Sequence, residues 1–168
     1  SYGDAVPGVD VMLSSKDLLA GQSLLFTGNS NSYIETDGAI ETPANFAVQA
    51  YVKPTTTNQT ATIVSFGRYS LGLENGKPAF KAKAEAGWTV ADVVLPTTSF
   101  TQLTAMYDGS SFNIYVDGEL KKSYSASGQV GDISTAKVSI GKSYTGYIDE
   151  VRLWSKGLTE TEVKQTYN

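Results

Sequence analysis

With neither cysteine nor histidine among its 168 residues, the chain has no thiolate nucleophile, no imidazole base and none of the usual zinc, haem or iron–sulfur ligand sets. What remains is carboxylate and hydroxyl chemistry, oxygen-ligand metals such as calcium, and recognition by aromatic rings. Hydrolysis of a glycosidic bond by the retaining route needs two carboxylates about 5–5.5 Å apart. Glu35 and Asp37 alternate correctly for one strand face but lie at a loop edge, and Asp149-Glu150 are neighbours that face opposite ways. Surface solvation explains the first pair more simply, so no catalytic residue and no enzymatic activity are expected. Trp88 follows Gly87 in a turn-like stretch, from which an indole can project and stack on the C–H face of a pyranose; packing within a strand is the plainer alternative. Arg68-Tyr69 after Gly67 sets a fork of donors beside a ring, suited to sugar hydroxyls or a carboxylate, or simply an Arg lying along an aromatic face.

Such groups must be carried by strands. Charged residues make up only 18% of the chain, while Val, ten tyrosines and six phenylalanines supply β-forming bulk. Segments 22–27, 32–36, 46–53, 60–66, 69–74 and 78–83 have strand length and composition. Asn75-Gly76, Asp108-Gly109 and Asp117-Gly118 sit between alternating apolar segments and tolerate the positive φ of type I′ hairpin turns. Phe46, Val48, Ala50 and Val52 share one face, and Phe112, Ile114 and Val116 alternate likewise. About a dozen short strands imply an all-β, two-sheet antiparallel sandwich or jelly roll. One short C-terminal helix is expected: Thr159 and Glu162 form a capping box, and Leu158 with Val163 forms the apolar staple. Trp154 is read as packing under that helix or the N-terminal arm.

A net charge of −4 leaves no basic footprint for nucleic acid. No apolar run approaches the roughly 20 residues of a membrane span, so no membrane insertion is expected. Residues 1–21 read as an N-terminal arm and 22–168 as one domain. Ser1 opens without a basic and apolar leader pattern, which gives the expectation of a trimmed chain whose neighbouring domains lie outside this sequence.

Ser23-Leu24-Leu25-Phe26-Thr27-Gly28, then Phe46 to Pro54, the hairpin ending in Tyr115-Val116-Asp117-Gly118, and Gly146-Tyr147-Ile148-Asp149-Glu150-Val151-Arg152-Leu153-Trp154 resemble, in order and spacing, a laminin-G-like, concanavalin A-like jelly-roll domain. Thr27 and Tyr51 stand where that family commonly has an aspartate and a tryptophan. The resemblance implies a non-catalytic carbohydrate-binding, lectin-like module, or alternatively a structural or adhesive domain making protein contacts. With the low charge and Ser/Thr-rich composition, it implies an extracellular or cell-surface location, in bacteria. It places Tyr51, Asn113 and Tyr115 on the outward parity of neighbouring strands, as candidate contributors to a sugar-binding surface with Trp88, Arg68 and Tyr69. Related glucanases carry a structural calcium at an aspartate similar to Asp149, joined by a glycine carbonyl from an early loop. Asp149, expected on the inward face with Val151 and Leu153, would then hold calcium with Gly28 or Asn29 supplying further oxygens; an aspartate satisfied by backbone donors is the alternative. Asn58-Gln59-Thr60 is an acceptor sequence for N-glycosylation.

Overall fold

The computed structural model describes residues 11–14, 23–29, 32–41, 45–66, 69–82, 88–125, 135–154 and 157–167. Thirteen strands are formed among them: β1 (Val11–Ser14), β2 (Leu24–Thr27), β3 (Ile34–Glu41), β4 (Phe46–Pro54), β5 (Ala61–Phe66), β6 (Tyr69–Glu74), β7 (Lys77–Ala82), β8 (Thr89–Val90), β9 (Thr101–Tyr107), β10 (Ser111–Val116), β11 (Glu119–Ser125), β12 (Thr135–Ile140) and β13 (Thr145–Trp154). A helix, α1 (Glu160–Tyr167), follows. Every strand pair is antiparallel, in two sheets. One runs β1-β13-β4-β9-β10-β11, with β2 also on β13; the other runs β3-β12-β5-β6-β7-β8. The expected two-sheet sandwich with a terminal helix is what the chain builds. Val11–Ser14, within the stretch read as an arm, pair with the last three residues of β13, while β2 pairs with its first four. No helix among the described residues is long and apolar enough to cross a membrane.

The core lies between the sheets and is centred on rings. Phe46 on β4 sits 4.5 Å from Tyr69, 5.1 Å from Phe66 and 6.0 Å from Phe80, centroid to centroid. All are fully or almost fully buried. Truncating one such ring costs about 3–5 kcal/mol, so this cluster anchors the sandwich. The Asn75-Gly76 and Asp117-Gly118 turns have positive φ at both positions, as type I′ geometry requires. Asp108-Gly109 differs. Only Gly109 has positive φ, and Asp108 Oδ1 instead accepts the Ser110 and Ser111 N–H groups, so the loop is three residues tied by an Asx bond.

The capping box forms as expected: Thr159 Oγ1 accepts the Glu162 N–H and Glu162 Oε1 accepts the Thr159 N–H, each at 3.1 Å. Leu158 and Val163 pack with Ala47, Met106, Tyr115 and Trp154 into a second apolar cluster. The helix therefore covers the outer face of the seven-stranded sheet. For this reason β9 is buried along its whole length, on one face by the core and on the other by α1. Polar residues line the seam: Gln49 Nε2 donates to Thr166 Oγ1 at 2.6 Å, and Gln102 and Thr104 are buried there.

Candidate functional site

The positive-φ Asn75-Gly76 turn fixes the β6–β7 register, pairing Glu74 with Lys77, Gly72 with Ala79 and Ser70 with Lys81. Tyr69, Leu71, Leu73 and Phe80 face the core, which turns Ser70, Gly72 and Lys81 outward. Trp88 immediately precedes β8, whose Val90 pairs with Ala79. Strand alternation then lays the half-buried Trp88 ring on the same outer face. A Cβ at residue 72 would meet Trp88 Cη2 at 2.9 Å and the Ala61 carbonyl oxygen at 2.2 Å, so only glycine lets the indole come down onto β6. Lys81 Nζ stands 4.7 Å from the Trp88 ring centroid.

Beyond Lys81, one cross-strand row continues across the sheet: Ser70 pairs with Ser65, Ser65 with Ser139, and Ser139 with Glu35. The three serines are half-buried, on adjacent strands, and span about 10 Å at ordinary strand spacing. Each hydroxyl is both donor and acceptor. Glu35 closes the row, held by Lys137 at 3.7 Å and in contact with Ser139 Oγ at 3.5 Å. Among the described residues no helix or strand lies over this face. An aromatic ring, a cation and a line of small hydroxyls on an uncovered sheet can stack, orient and hydrogen-bond a polyhydroxylated chain.

The other expected site residues are elsewhere. Tyr69 is 1% exposed and belongs to the core ring cluster, because β6 turns it inward; it is not a surface residue. Arg68 lies outside the described residues. Tyr51 and Tyr115 do face outward from the seven-stranded sheet, but α1 covers that face. The Tyr51 hydroxyl lies 3.4 Å from the Thr166 and Tyr167 carbonyl oxygens, and Tyr115 is buried against the helix. Burial pushes both phenols up. Asn113 is half-buried on β10 between Met106 and Ser123, away from Trp88. Of the five predicted ligand contacts that lie among the described residues, Trp88 alone is on the open face.

The inward reading of Asp149 is corrected by a β-bulge. Pairing with β4 jumps from Asp149–Tyr51 to Arg152–Gln49, so three steps on β13 oppose two on β4, and Glu150 takes a φ of 49°. Ile148 and Val151 are thereby both buried, while Asp149 faces away from the core and its Oδ1 accepts the Glu150 N–H at 2.8 Å. Thr27 pairs with Thr145, which is four residues along β13 from Asp149, about 13 Å, and Gly28 lies one residue further still. Asp149, Gly28 and Asn29 do not converge, and this donor set does not fit a shared calcium ion. Among the described residues there is no cluster of three acidic side chains that could hold a metal.

Lys81, the three serines and Gly72 escape a residue-type search because none is distinctive alone. The signal for them is arithmetic: once Asn75-Gly76 is accepted as a two-residue turn, residues whose numbers sum to 151 are paired, which sets Ser70 opposite Lys81.

No curated protein matches the sequence. Among solved structures, a native heptameric SAP-like pentraxin from Limulus polyphemus superposes with a TM-score of 0.72 at 14% identity, over 98% of this chain and 84% of that one. Domain 4 of an extracellular arabinanase from Geobacillus stearothermophilus, in complex with arabinotriose, gives 0.64 at 17%, over 100% and 93%. The binding domain of Paraclostridial Mosquitocidal Protein 1 gives 0.69 at 13%, over 98% of this chain but 46% of that one, so the chain spans less than half of that relative's length. At these identities the likeness is one of fold. The family model that matches residues 27–164 covers most of the sequence, and the chain belongs to the concanavalin A-like lectin/glucanases superfamily.

Proposed function

We propose that this domain is a non-catalytic carbohydrate-binding module that takes an extended neutral glycan across the outer face of the six-stranded sheet. The observation that carries the reading is the alignment of Trp88, Lys81, Ser70, Ser65 and Ser139 on one surface that no described helix or strand covers. The glycan lies perpendicular to the strands, with one sugar stacked on the indole and hydroxyls of the next units meeting the serine row. Glu35, the described carboxylate in the row, is engaged by Lys137, so no described acid/base pair flanks the bound chain. Structural neighbours seen with arabinotriose and, in a botulinum neurotoxin serotype D ligand binding domain, with N-acetylneuraminic acid support sugar recognition on this fold. The same reading puts the domain outside the cell or on its surface, as one unit of a longer protein.

Titration calorimetry against a panel of neutral oligosaccharides tests this. Trp88→Ala weakens binding at least about tenfold, equivalent to roughly 1.4 kcal/mol, while Trp88→Phe retains part of it. Prolonged incubation releases no shortened product. Binding that is indifferent to Trp88→Ala overturns the assignment, and a folded domain silent across the panel favours the protein-contact alternative.

A further inference from the structure

The opposite sheet carries a second constellation, near the end where β2 and β13 begin their pairing. Leu25, Tyr147 and Lys53 form one cross-strand row on β2, β13 and β4. Lys53 Nζ lies 4.7 Å from the Tyr147 centroid and 5.4 Å from that of Phe100, and the two rings meet edge to face at 6.5 Å and 60°. Phe100 is 40% exposed and Leu25 53%, so an apolar corner with an ammonium at its apex opens to solvent. Among the described residues no carboxylate reaches ion-pair distance of Lys53, whereas Lys77, Lys121, Lys137 and Lys164 each have one. Two residues along, on the same parity, Thr27 pairs with Thr145 and sets hydroxyls beside the aromatic row.

We infer that this corner is a second ligand site, specific for a carboxylate-bearing pyranose. Ring C–H groups rest on Phe100 and Leu25, hydroxyls meet Thr27 and Thr145, and the carboxylate completes the charge of Lys53. The complementarity favours an acidic sugar over a neutral one: the Lys53 ammonium lies over two rings where Lys81 lies over one, and gains most from an anion in its remaining open direction. It also decides against a purely apolar partner, which would bury that ammonium without a counter-charge. The site stands on different elements from the Trp88 face and does not depend on it.

Carboxylated pyranoses come from two sources, sialic acids and uronic acids, so both N-acetylneuraminic acid and glucuronic acid serve as probes, with their methyl esters as neutral counterparts. Binding is followed by NMR on the intact domain through the Phe100 and Tyr147 ring signals and the Lys53 side chain. At least one acid shifts these signals in a saturable way, its ester does not, and raising salt weakens the effect. Lys53→Met, which keeps the aliphatic stem, weakens binding about tenfold or more, as loss of a charge-assisted bond does; Lys122→Met, the same charge change on exposed β11, leaves it intact. Phe100→Ala weakens binding as well, and retention of the other wild-type cross-peaks confirms folding. Absence of shifts with both acids, equal binding of acid and ester, or indifference to Lys53→Met overturns the proposal.

Discussion

Gly72→Ala is the sharpest probe of how the Trp88 face is built. The added Cβ would lie 2.2 Å from the Ala61 carbonyl oxygen and 2.9 Å from Trp88 Cη2. The first contact is with backbone of the paired strand, so no rotamer change relieves it, and β5 and β6 must part by about 1 Å in a close-packed sheet. Overpacking of this kind costs on the order of 1–3 kcal/mol. At roughly 2–4 °C per kcal/mol for a domain of this size, Tm falls by about 2–12 °C. The second contact pushes the indole off the sheet, so Trp88 emission shifts to longer wavelength. Trp154, 7% exposed under the helix, would dilute that signal. Thermal melts and emission spectra are therefore taken in a Trp154→Phe background, with and without Gly72→Ala. A Tm change under about 1 °C together with an unmoved spectrum would refute the seating of Trp88 on Gly72.

Thr159→Ala removes half of the capping box and lowers stability by about 1 kcal/mol; amide exchange at Val163, whose N–H bonds to the Thr159 carbonyl, speeds up before that of β4. The Ser110 and Ser111 N–H groups hold the Asp108 carboxyl below its usual range. Its folded pKa is depressed, so its stabilisation is full above the unfolded carboxylate value near ~3.9 and is lost as pH falls through the folded value; Asp108→Ala flattens that acid limb in pH-dependent melts. Burial raises the Tyr144 phenol far above its ordinary range. Its stabilisation is full below the unfolded pKa of about 10 and declines as pH rises above it, so in ultraviolet titration Tyr144 ionises with alkaline unfolding rather than with the exposed tyrosines.

Fold and capping were legible because both rest on local chemistry. Thr159, Glu162, Leu158 and Val163 lie within six residues, and their pattern has one low-energy arrangement. The Asn75-Gly76 and Asp117-Gly118 turns follow from the φ those residues accept, whereas Asp108-Gly109 failed as a two-residue turn because the Asp108 side chain captured two amides and lengthened the loop. Asp149 was misread for a similar reason. Strict alternation carries no mark of a bulge, and one inserted residue at Glu150 reverses the parity of all that follows. Tyr51 and Tyr115 were placed correctly as outward residues, but outward is not exposed: a helix more than forty residues later in the chain covers them. Trp88 was reachable because an aromatic beside glycine is conspicuous by itself.

The helix also distinguishes the two outer faces of the sandwich. A sandwich has two outer faces, and each must be either covered or polar enough to stand in water. The seven-stranded sheet presents Ala47, Met106, Tyr115 and Trp154 at its centre, an apolar area that α1 must close. The six-stranded sheet presents serines, a glycine and paired charges there and needs no lid. Trp88 is the exception on that surface: a large ring half-buried where folding alone would accept a small polar residue, seated by a glycine whose replacement crowds the neighbouring backbone. Phe100 and Leu25 are the corresponding exceptions on the other sheet, just beyond the reach of the helix. Partly exposed apolar side chains contribute less to stability than core ones do. The binding proposed at each surface gives their placement beside lysines without described acidic partners a role.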